Sequence, residues 1–172
     1  MSRLENAPTA LAKLLDSSLT VQDILVLGYV DRDQEPPRFQ MFQTVVALQI
    51  DDGYLTLAWN HSGRMSAYGA SSLVIPEELS EEPSVEPMYA TVAQNYFNEN
   101  QQVQVSAASF FAEEGCDGEY RAAVFEFGHG DILTVDPRNS MGMVLGSGPW
   151  PTAWRDEFTE SDESIIELRW AR

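Results

Sequence analysis

A chain of 172 residues with 27 Asp and Glu against 10 Lys and Arg carries a formal net charge of −17. An excess this large argues against DNA, RNA and anionic membrane surfaces as partners, because such binding depends on Lys and Arg meeting phosphate. Its 44% hydrophobic content, with 4 Trp, 8 Phe and 6 Tyr, excludes an acidic disordered tail and supports a core burying roughly 70% of the unfolded surface.

Met1–Pro8 contains Arg3, but no apolar run follows, since Leu11, Leu14, Leu15 and Leu19 are interleaved with Lys13 and Asp16. No stretch approaches the ~20 apolar residues of a bilayer span, and a soluble, cytoplasmic protein is expected. The same leucines form one helical stripe behind Thr9, which predicts an N-terminal helix over 8–19. Ile24–Val30 has the apolar run of a buried strand, broken by the loop Asp31–Pro37 with its two prolines. Phe39–Ile50 and Tyr54–Asn60 form the clearest hairpin. Phe42, Val46, Leu48 and Ile50 share one parity, Leu55, Leu57 and Trp59 another, and Asp51-Asp52-Gly53 supplies the turn.

Leu73–Ile75 predicts a brief strand, and the proline- and glutamate-rich Pro76–Pro87 a surface connector. Tyr89, Val92, Ala93, Tyr96 and Phe97 fall on one helical face, predicting a central helix over 87–98. A meander of strands follows. Val103, Val105, Ala107 and Phe111 alternate with polar or small residues, and Ala123, Phe125 and Phe127 share a face. Gly128–Asp131 turns into Ile132–Val135, and Asp136–Asn139 turns into Met141–Leu145. One or two helical turns are predicted over 152–158, and Ile166, Leu168 and Trp170 mark a last strand. The fold class expected is α+β. One domain over 1–172 would hold a mainly antiparallel sheet of about seven to nine strands, an N-terminal helix and a central helix. This element order is loosely similar to that of secretion chaperones, a likeness that assigns no residue a role.

Residues that could carry chemistry are sparse. His61, His129 and Cys116 lie outside zinc-motif spacing of one another, so neither a metal nor a cofactor is expected. The single cysteine excludes an intramolecular disulfide, and its acidic turn is the wrong setting for a reactive thiolate. Asp31-x-Asp33-x-Glu35 begins like a calcium loop but lacks the central Gly and the terminal Glu. No catalytic residue is assigned. The alternative function, a small-molecule binder or hydrolase-type enzyme, would have its site near His61 and Arg64 or near His129 and Asp131.

The most informative feature is the absence of any basic residue between Arg64 and Arg121. The 56 residues Met65–Tyr120 hold ten carboxylates, interleaved with Met88, Tyr89, Tyr96, Phe110, Phe111 and Tyr120. Aromatic anchors ringed by one sign of charge suit a steered protein interface. The leading expectation is a non-enzymatic acidic protein that occludes a basic partner, as immunity proteins do for toxins and chaperones for secreted proteins. Its partner-binding residues would be Glu77, Glu78, Glu81, Glu82, Glu86, Tyr89, Tyr96, Glu113, Glu114, Asp117 and Glu119. A homodimer formed through an exposed sheet edge is the third reading.

Overall fold

The computed structural model describes residues 19–33, 35–60, 62–73, 75–76, 86–97, 103–115, 118–139, 142–148 and 165–171. A first antiparallel sheet runs from β1 (Thr20–Asp31) through β2 (Arg38–Ile50) and β3 (Gly53–Trp59) to β4 (Met65–Ala70), and β5 (Glu86–Thr91) lines the other edge of β1. A second is organised on β6 (Val103–Glu113). β8 (Ala122–Phe127), β9 (Ile132–Asn139) and β10 (Gly142–Ser147) follow on one side of it, and β11 (Ile165–Ala171) pairs on the other.

The sheets meet at both margins. Thr20 and Val21 pair with Gln104 and Val103, while β7 (Glu119–Tyr120) pairs with Ser66 and Met65 and then runs through Arg121 into β8. The ladder thus returns to its start and encloses the core. Cross-strand rows such as Val26–Val46–Leu57–Ala67 and Ile24–Leu48–Leu55 face inward from the first sheet. From the second, Phe110 meets Tyr120, Phe125 and Trp170 at ring-centroid distances of 4.8, 5.7 and 5.9 Å. Each such side chain contributes about 1.5–3 kcal/mol when taken from water. Alternation with a period of two directs these residues inward. Leu27, Val45 and Ala47 are buried too, although their parity is opposite.

The α+β expectation is corrected: among the described residues the architecture is almost entirely β, with no α-helix. The predicted central helix is β5 followed by the 3-10 turn Ala93–Asn95. Glu86–Thr91 pair with Val30–Leu25, and the Val92 amide continues the edge by donating to the Ile24 carbonyl at 2.8 Å. The helical spacing arises because a strand and a turn follow one another. Phe97 is carried onto Phe127, edge to face at 4.7 Å. An isolated helix has only its own ladder, whereas this segment gains both a β1 partner and core contact. Without the central helix the likeness to secretion chaperones lapses.

Among the described residues eleven strands replace the expected seven to nine: β4 and β5 form where no strand is expected, and the chain bends at Arg121 to divide β7 from β8. Leu73 and Ile75 are not in a strand. Asp136-Pro137 does not turn; β9 continues to Asn139. Proline is tolerated there because pairing with β8 ends at Val135 and the register with β10 shifts beyond Asp136. In β6 a bulge at Val105–Ala107 shifts the inward parity, so Phe110, not Phe111, enters the core. The β2–β3 hairpin, β8 and β11 form where the sequence places them. The N-terminal helix, apart from buried Leu19, and the turns over 152–158 lie outside the described residues.

Candidate functional site

At one end of the first sheet β1, β2 and β5 extend together. Gly28 pairs with Met41 on one side and Met88 on the other, so both methionines project from one face. They are 50% and 42% exposed. Four residues of β2, where one would suffice, separate the partners of Val26 and Gly28, an irregularity that frees Phe42 from the inward row predicted for it. Phe42 is 39% exposed and meets the Tyr29 ring edge to face at 6.1 Å, on the face opposite the methionines. Gly28 is a close-approach position, since a Cβ there would collide with the Phe39 ring and the Gln40 carbonyl.

Carboxylates surround this end. Asp33 and Glu35 are exposed in the β1–β2 turn, Asp31 stands opposite Arg38, and Glu86 is ion-paired with Arg32. Tyr89 pairs across to buried Leu27 and is itself half-buried; burial, followed by nearby Tyr68, pushes its phenol up to about 12. Tyr96 follows the 3-10 turn and packs against the core, and burial raises its phenol as well.

The second acidic segment is organised by arginine. Glu113 is only 14% exposed and accepts from Arg64 at 2.6 Å and from Arg121. Burial works to raise its carboxyl, but the hydrogen bonds and charges of the two guanidiniums outweigh it and hold the group below the usual carboxylate range. Glu119 accepts from Arg64 at 3.2 Å and from Asn60 at 2.9 Å. The Asn60 side-chain Oδ1 in turn accepts from the Ser62 and Arg64 amides, each at 3.2 Å, which fixes the loop that presents Arg64. Glu114 is exposed beside this clamp.

Register relates the two acidic sites. Val26, Val46, Leu57 and Ala67 lie in one row, so Met65 stands at the level of Gly28 and Arg64 just beyond it. Glu86 pairs with Val30, two residues beyond Gly28 toward the same end. Both sites therefore occupy one end of the first sheet, at its opposite margins β5 and β4. Four strand spacings, roughly 19 Å along the sheet, separate them, with Met41 and Phe42 between.

No family model, curated protein or solved structure matches this chain.

Of the residues expected to bind a partner, Glu86, Tyr89, Tyr96, Glu113, Glu114 and Glu119 are described; Glu77, Glu78, Glu81, Glu82 and Asp117 lie outside the described residues, as do His61 and Cys116. Glu113 and Glu119 are turned to the protein's own arginines. Met41 and Phe42 were missed because a bulge leaves no mark on simple alternation. The clamp had a signal: its two arginines bracket the basic-free stretch. Arg138 is ion-paired with Asp136, and Arg169 with Glu126. His129 is exposed in the β8–β9 turn, closed by the Phe127 amide donating to the Asp131 carbonyl. Among the described residues no group of His, Cys, Asp and Glu is gathered as a metal site would require, and no helix is long and apolar enough to cross a membrane.

Proposed function

We propose that this chain is a non-enzymatic acidic binding protein of the cytoplasm that occludes the working face of a basic protein partner, in the manner of an immunity protein or an export chaperone. The observation that carries the reading is the exposure of Met41 and Met88 on one face, with Phe42 on the other, at the sheet end that also holds the carboxylates of both margins. Adaptable methionines and an aromatic ring provide contact area. The carboxylates around them favour a cationic partner and speed its approach. The rival, a ligand or catalytic site near His61 and Arg64 or His129 and Asp131, has less support: Arg64 is engaged by Glu113 and Glu119, and His129 stands in an open turn.

Immobilised protein exposed to lysate of its native cells tests the reading, with Met41→Glu/Met88→Glu run beside it. This variant keeps the acidity and removes the apolar anchors. A captured protein rich in Lys and Arg, lost on the variant and associating more slowly as salt rises, is the expected result. Capture that ignores the two methionines, or a partner without basic excess, overturns it.

A further inference from the structure

The outer edge of β11 has no strand beside it among the described residues; β11 pairs with β6 alone. The strand is regular over its seven residues and firmly seated, with Trp170 edge to face on Phe110 at 5.9 Å. Ile166, Leu168 and Trp170 point toward the core yet remain half-buried, while Glu167 and Arg169 lie on the outer face, 42% and 44% exposed. A bare edge of this length is a template for another strand.

The charge pattern selects that strand. We propose that two copies of this chain join through antiparallel β11 edges about a twofold axis at Leu168, making one continuous sheet. Antiparallel self-pairing brings residues i and j together only at even i + j, and directly opposed residues share a face. Centring on Glu167 would set Glu167 against its own copy, and centring on Arg169 would oppose two arginines. Centring on Leu168 places Glu167 opposite Arg169 twice over, Ile166 opposite Trp170 twice, and Leu168 against Leu168. This register is self-complementary in both charge and apolar contact, as a twofold interface requires. Within each copy Arg169 already meets Glu126 at 2.7 Å and Glu167 at 3.8 Å, and Ser109 donates to Glu167 at 2.7 Å. In the dimer each Glu167 gains the other copy's Arg169 across the axis, while each copy keeps its own Arg169–Glu126 pair. The dimer joins two bodies of net charge −17, so salt that screens their repulsion tightens it, whereas salt weakens the basic-partner association proposed above.

Sedimentation equilibrium from about 1 to 200 µM covers the range of a weak dimer. Wild type should move from 19.2 kDa toward twice that mass, and further at higher salt. Glu167→Arg and Arg169→Glu each oppose like charges at both pairs, and each should weaken self-association by at least about tenfold. Mixing the two variants sets two arginines against two glutamates and should restore a heterodimer; circular dichroism of each variant alone checks its fold. A wild type that stays monomeric at all salts, variants that dimerise unaltered, or a mixture that remains monomeric overturns the proposal. The reading of the Met41 and Met88 surface stands apart, because neither substitution touches Met41, Phe42 or Met88.

Discussion

The Arg64 guanidinium donates to Glu113 at 2.6 Å across 49 positions of chain. Arg121, the basic residue that closes the acidic stretch on its other side, reaches the second oxygen of the same carboxylate. The two arginines that delimit the stretch in sequence thus meet in space, and they fasten the β4–β7 margin, where two residue pairs join the sheets among the described residues. Glu113→Gln keeps the shape and removes the charge that both guanidiniums share, while Arg64 keeps its pair with Glu119. The expected loss is about 2 kcal/mol, between the values for exposed and buried pairs. Urea unfolding measures it, because guanidinium chloride would screen the interaction.

The same carboxylate gives that margin a pH dependence. Its folded-state value lies below the ordinary 4.5, so the unfolded chain takes up the proton first as pH falls. The stabilisation is full above about pH 4.5 and drains away as pH drops through the lowered folded value. The stability gap between wild type and Glu113→Gln should therefore be constant from pH 7 to 5 and narrow toward pH 3. Taking the difference cancels the other carboxylates. A gap that persists at pH 3 would show that charge is not what the substitution removed.

Elements that alternate in register with their partners were legible: the β2–β3 hairpin with Asp51-Asp52-Gly53, β8 with Ala123, Phe125 and Phe127, and β11 with Ile166, Leu168 and Trp170. What was lost depends on a distant strand. Nothing local in Glu86–Thr91 announces pairing with β1, and five residues at helical spacing imitated a helix. The bulges that bring Phe110 inward and leave Phe42 exposed arise from a mismatch between partners, so neither strand carries the information alone. The acidic surface was readable as charge, but its apolar centre at Met41 and Met88 needed three strands in register.

Gly28 tests how closely that centre is packed. A Cβ would strike the Phe39 ring and the Gln40 carbonyl, one movable and the other backbone. Gly28→Ala should cost about 2–3 kcal/mol, the upper part of the ~1–3 kcal/mol typical of overpacking, because one of the atoms struck is backbone. Gly130 is the contrast: at φ +87 it has nothing near its missing Cβ. Gly130→Ala should cost only about 1 kcal/mol, the left-handed penalty alone. Equal losses in urea would mean that the β1–β2 end yields freely.

Trp59 ties the two sheets together at the same end. Its indole N–H donates to the Pro137 carbonyl at 2.8 Å, linking the last residue of β3 to the stretch of β9 that has outrun its pairing with β8. This bond gives the carbonyl of the proline-containing segment a donor that the pairing with β8 no longer provides. Trp59→Phe keeps most of the ring and removes the donor, so a partly buried carbonyl loses its partner at a cost of about 1 kcal/mol. Amide exchange should locate the effect, with Arg138 and Asn139 exchanging faster while Leu55 and Leu57, deep in the same hairpin, keep their protection. Uniform acceleration across β3 would instead mean that the indole acts through core packing.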